Sequence, residues 1–83
     1  MYPFVLWSSI NEAKIAAHHV SKDEVHDVLD DPLIDEEPSR SNPAYFVVQG
    51  ETRRGRWLIV VFEKVDEDTV RPVTAYEPQP RSK

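Results

Sequence analysis

The run Trp57-Leu58-Ile59-Val60-Val61-Phe62 constrains this chain more than any other stretch. It is rich in β-branched and aromatic residues and apolar on both alternating faces, so it belongs in the middle of a sheet with helices covering one side. Leu58, Val60 and Phe62 share one face, and Trp57, Ile59 and Val61 the other. Two further runs of similar character, Ala44–Gln49 and Thr69–Tyr76, flank it. The turn-rich segments Glu51–Arg56 and Asp66–Asp68 separate the three, which predicts an antiparallel meander.

Helical signals precede the meander. Ser8 or Ser9 can cap a helix over Asn11–His19, where Ile10, Ala13, Ala17 and, one turn on, Val20 recur at helical spacing. Ser21-Lys22-Asp23-Glu24 is a capping box, in which the serine hydroxyl accepts from the Glu24 N–H and the glutamate reaches back to the Ser21 N–H. The second helix that it opens has the apolar stripe Val25, Val28 and Leu29, and Pro32 closes it. Tyr2–Trp7 reads as a short edge strand, because Pro3 has no N–H to donate to a ladder and is confined to an edge or first-strand position. Residues 32–43 carry three prolines and no periodicity, so they read as a long exposed loop. The predicted fold class is therefore α+β, with two N-terminal helices packed on a three- to four-stranded antiparallel meander. One domain spans residues 1–76, and residues 77–83 are expected to form a disordered tail.

With 83 residues, one hydrophobic core serves the whole chain, and a core of this size is marginal. The chain has no cysteine, so disulfide frameworks and thiolate metal sites fall away. The apolar N-terminus lacks a basic flank and stops far short of the ~20 residues that span a bilayer. No membrane association and a cytoplasmic location are the expectations. The net charge of −5 argues against a strong electrostatic grip on nucleic acid. That charge is uneven: Asp23, Glu24, Asp27, Asp30, Asp31, Asp35, Glu36 and Glu37 crowd one stretch, whereas Arg53, Arg54 and Arg56 crowd one predicted hairpin tip.

Those three arginines suit bidentate contact with phosphates, and a solvated charged turn is the plainer alternative. His18 and His19 are adjacent, so on a helix they point about 100° apart and at most one can face a site. No second histidine stands at metal-binding spacing, and His26 has no obvious His or Cys partner, so neither a metal nor another cofactor is expected. A histidine near pKa 6.5 is nevertheless the default proton carrier at neutral pH. Tyr45, Tyr76 and Arg71 lie in strands, where a phenol or guanidinium can serve phosphoryl chemistry or simply pack. Gly50 and Gly55 are the only glycines, and no glycine-rich phosphate loop exists.

The order of these pieces resembles that of BrnT-like proteins. The resemblance runs over residues 5–76: Trp7, then Asn11, then His18-His19-Val20-Ser21 and an acidic helix ending in Asp31-Pro32, followed by Gly50-Glu51-Thr52, Gly55-Arg56 and Val70-Arg71-Pro72-Val73-Thr74-Ala75. It implies a RelE-like fold and a bacterial type II toxin partnered by an antitoxin. The implied activity is metal-independent RNA cleavage, in which the ribose 2′-OH attacks its own phosphate. His18, Arg56 and Arg71 occupy the matching positions. His18 or Tyr76 would then move protons, Arg56 and Arg71 would grip the scissile phosphate, and Arg53 and Arg54 would bind RNA. Three positions depart from the pattern: His19 replaces a glycine, Ser8 replaces an aspartate, and Tyr76 stands where an arginine is usual. A phenol cannot replace a guanidinium in stabilising charge on a phosphate. The competing reading is a non-catalytic interaction domain that keeps the fold without the chemistry.

The capping box yields a direct test. Ser21→Ala should cost about 1 kcal/mol, lowering the melting temperature by about 4–8 °C for a domain of this size. An unchanged thermal melt would remove Ser21 from the cap.

Overall fold

The computed structural model describes residues 3–30, 36–40 and 42–78. In chain order the elements are β1 (Phe4–Val5), α1 (Ser9–Ala17), α2 (Lys22–Leu29), β2 (Glu36–Pro38), β3 (Tyr45–Glu51), β4 (Trp57–Lys64) and β5 (Thr69–Tyr76). The strands form one sheet in the order β1-β5-β4-β3-β2, with β4 at its centre. α1 packs against β5, and α2 against β3 and β4. Leu58, Val60 and Phe62 are fully buried, as are Val25 and Val28, and Leu29 is nearly so. The opposite face of β4 is only half covered, and Trp57 there is 50% exposed.

The predicted meander is present as β3-β4-β5, but the sheet is larger than three or four strands and is mixed. β1 joins one edge in parallel, with Phe4 opposite Thr69 and Val5 opposite Val70. β2 joins the other edge, with Glu36 opposite Val48 and Pro38 opposite Phe46. It forms inside the segment expected to be loop, because the unpaired backbone groups of β3 are satisfied by any short extended stretch, and an edge position tolerates proline. The closure of α2 by Pro32 falls outside the described residues, as do residues 79–83 of the expected disordered tail 77–83.

β5 carries one irregularity with consequences for its end. Val61 pairs with Thr74 while Phe62 pairs with Pro72, leaving Val73 as an extra residue in a β-bulge. Val70, Pro72 and Ala75 are consequently the buried residues of this strand's core face. Strict alternation would have sent residues 74 and 76 inward after residues 70 and 72. The bulge instead sets Tyr76 opposite Ile59, on the face away from the core.

The helices begin and end as local chemistry dictates. Ser8 caps α1, its hydroxyl accepting from the Asn11 N–H at 3.1 Å. The expected stripe through Ile10, Ala13 and Ala17 is not the buried one: Ile10 is 73% exposed, and Ile15 is the residue of α1 that enters the core. So short a helix needs only one anchor, and Ile15 is extended by Val20 just beyond the helix end. There the His19 N–H donates to the Ala16 carbonyl at 2.9 Å and the Val20 N–H to the Ile15 carbonyl at 3.3 Å. This is a Schellman motif, with Ile15 and Val20 making its hydrophobic contact. His19 occupies the left-handed position with φ 60°, where glycine fits most readily. The capping box of α2 is complete, with Glu24 N–H to Ser21 Oγ at 3.2 Å and Ser21 N–H to Glu24 Oε1 at 3.0 Å.

Because a side chain in this left-handed position is strained, His19→Gly should stabilise the protein by about 1 kcal/mol. The corresponding rise in melting temperature is about 4–8 °C by circular dichroism. A fall instead would mean that the imidazole itself contributes more than its backbone costs.

Candidate functional site

Four residues, His18 to Ser21, separate the helices, and this corner presents two groups to the end of the sheet. The exposed His18 ring lies 6.0 Å from the Tyr76 ring, the planes tilted by 52°. The carbonyl of His19 points away from the helix and accepts from Arg56 Nη1 at 2.7 Å.

Arg56 reaches this corner because its hairpin is locally determined. The Thr52 N–H donates to the Arg56 carbonyl at 2.8 Å, the Gly55 N–H to the Thr52 carbonyl at 2.9 Å, and the Arg56 N–H to Thr52 Oγ1 at 3.1 Å. Thr52 is buried beneath the tip, and Gly55 supplies the left-handed φ of 86° that the turn requires. From this fixed backbone the guanidinium extends to both oxygens of Glu24 through Nη1 at 3.0 Å, and to Glu77 Oε2 through Nε at 2.9 Å. Its Nη2 makes no hydrogen bond among the described residues.

These contacts set the charge states. The Glu24 carboxyl is held below its ordinary value of 4.5, chiefly by the Ser21 backbone N–H and further by Arg56, against an opposing effect of burial. Arg56 is pushed above its ordinary value by its hydrogen bonds to Glu77 and then Glu24. Each partner therefore stabilises the other's charged form.

The other expected site residues lie elsewhere. Arg71 is at the far end of the sheet, where its Nη1 donates to Glu63 Oε1 at 2.7 Å on the neighbouring strand. Four strand residues lie between it and Tyr76, a separation of about 15 Å. Arg53 turns toward α2, with its N–H on Asp27 Oδ2 at 3.1 Å and its Nε 3.4 Å from Asp27 Oδ1. Arg53 and Arg54 line a cleft whose other wall is the acidic face of α2, Asp23, Glu24, Asp27 and Asp30. Four carboxylates beside two guanidiniums leave that cleft with a negative balance. His26 packs against Trp7 at 5.9 Å between ring centroids. No three His, Asp or Glu side chains among the described residues gather where they could hold a metal ion.

The structure thus brings the His18 and Tyr76 rings together and ties Arg56 to the His19 carbonyl and to Glu77, while Arg71 stands at the far end of the sheet and Arg53 and Arg54 on the cleft beside α2. Glu24 and Glu77, the two carboxylates on Arg56, had no such role in the sequence reading. For Glu24 the capping box was the available signal; for Glu77, in a proline-containing tail, there was none.

The α+β arrangement of two helices on one face of a mixed sheet is a BrnT-like fold. The crystal structure of the Brucella abortus ribonuclease toxin BrnT is similar to this chain with a TM-score of 0.69, over 92% of this chain and 96% of that one. The two sequences are 15% identical, so the likeness is one of fold. No family model matches the chain, and no curated protein matches it. No helix among the described residues is long and apolar enough to cross a membrane.

The Glu24 environment predicts an acid limit to stability. Because its carboxyl is lowered in the folded state, the contribution is complete above about pH 4.5 and is lost as the pH falls through the folded value. Glu24→Gln should lower stability at pH 7 by on the order of 1 kcal/mol. The variant should also flatten the acid limb of stability measured by urea unfolding between pH 7 and 3. Parallel pH profiles for wild type and variant would show that the loss lies elsewhere.

Proposed function

We propose that this chain is a BrnT-like toxin that cleaves RNA without a metal. The observation that supports the reading is the meeting of the His18 and Tyr76 rings, with Arg56 held by the neighbouring His19 carbonyl, on a fold similar to that of a ribonuclease toxin. An imidazole and a phenol can each carry a proton, and a guanidinium can stabilise the charge that develops on a phosphate. In the proposed reaction the ribose 2′ oxygen attacks the adjacent phosphorus while one member of the pair takes its proton. The bond to the departing 5′ oxygen breaks as the other member supplies a proton, leaving a 2′,3′-cyclic phosphate and a free 5′-OH. Arg56 serves the scissile phosphate. Arg71, about 15 Å along the strand, serves a flanking phosphate, and Arg53 and Arg54 serve the RNA outside the site. The proposed setting is the bacterial cytoplasm, with an antitoxin protein as the inhibiting partner.

A specific observation favours a second reading. Arg56 is bound to Glu24 and Glu77, and Arg71 to Glu63, so both arginines already have carboxylate partners. In an acidic chain that is the pattern of a non-catalytic interaction domain retaining a toxin fold.

The test is incubation of the purified chain, free of any partner, with single-stranded RNA in a chelator at low and moderate salt. Cleavage to cyclic-phosphate ends is expected, and His18→Ala should slow it by about 100-fold or more. Arg56→Ala and Arg71→Ala should each weaken RNA binding, with a shallow salt slope of about −0.7 per phosphate contact. Arg40→Ala should change neither. A wild-type chain that neither binds nor cuts RNA, and whose expression leaves growth unimpaired, returns the non-catalytic reading.

A further inference from the structure

We propose that Glu77 is a displaceable latch on Arg56, occupying half of the guanidinium edge that a phosphate would take. This rests on the reading of Arg56 as a phosphate-gripping group. The three partners of Arg56 are not equivalent. Glu24 sits in the first turn of α2, where its carboxylate is also held by the Ser21 N–H, and its side chain is 22% exposed. The His19 carbonyl is backbone, fixed by the Schellman turn. Glu77 lies one residue beyond β5, its side chain 59% exposed, and its contact is the single bond to Nε.

The geometry of a guanidinium makes that single bond informative. Nε–H and the nearer Nη2–H point in parallel from one edge, the edge that accepts a carboxylate or phosphate in two-point fashion. Glu24 and the His19 carbonyl occupy Nη1 and leave this edge to Glu77. Glu77 uses only its Nε half, and Nη2 has no partner among the described residues. A phosphate oxygen pair would engage both donors, so the incoming anion makes one more charge-assisted bond than the carboxylate it displaces. The exposed carboxylate can then turn into water, whereas Glu24 keeps the guanidinium aimed. Glu77 directly follows Tyr76, the last residue of β5, whose ring meets that of His18.

The experiment is titration of inorganic phosphate into the full chain, followed by the Arg56 Nε–H resonance in nitrogen-15 NMR, with a single-stranded RNA oligonucleotide in parallel by fluorescence anisotropy. Glu77→Gln and Glu77→Ala should bind phosphate at Arg56 about two- to fivefold more tightly than wild type, the size expected for removing an exposed charged competitor. Arg56→Lys, which keeps the charge without the two-point edge, should show no such resonance and no gain when combined with Glu77→Gln. If both Glu77 variants bind phosphate no more tightly than wild type, the latch is overturned. If they bind phosphate more tightly while no variant binds RNA, the latch stands and the RNA reading fails.

Discussion

The Arg56 guanidinium joins parts of the chain that are remote in sequence: the helix corner at His19, the first turn of α2 at Glu24 and the end of β5 at Glu77. Each partner is an oxygen, and each has its own reason for being where it is. Glu24 is placed by the capping box, the His19 carbonyl by the Schellman turn, and Glu77 by the end of strand pairing. The central sheet and the two helices would pack through their apolar residues in any case. The arginine ties the corner between the helices to the sheet's end, where the His18 ring meets that of Tyr76.

The same interaction gives the site its ambiguity. A guanidinium held by carboxylates is well oriented, and orientation is what a phosphate site needs. It is also electrically satisfied, which reduces its attraction for a polyanion in a chain that is already acidic. The division of labour between a fixed carboxylate at Glu24 and an exposed one at Glu77 reconciles the two, since orientation and neutralisation then come from different residues. Arg53 shows the other outcome, in which both backbone and side chain are committed to Asp27 and the guanidinium stands against an acidic helix face.

Much of the fold was legible because it rests on local chemistry. The apolar run Trp57–Phe62 named the central strand and its buried face, and Ser21 to Glu24 named the start of α2. The stripe of α1 is not legible in the same way, because Ile10 and Ile15 offer competing registers in an alanine-rich helix, and packing against β5 and Val20 selects Ile15. β2 has no signal in the sequence, because its residues carry no pattern of their own and are strand only through their partners on β3.

By itself the sequence determined the turns, the caps, the central strand and its core face, because these follow from hydrogen bonds within a few residues and from periodicity. The tertiary structure decided which residues share the site. The bulge at Val73 turns Tyr76 away from the core, and pairing remote in sequence brings His18, Arg56 and Glu77 to the same end of the sheet while Arg71 remains at the other. Spacing along the chain carries no information about such a meeting, because it depends on strand register and on ion pairs that form only once the sheet has assembled.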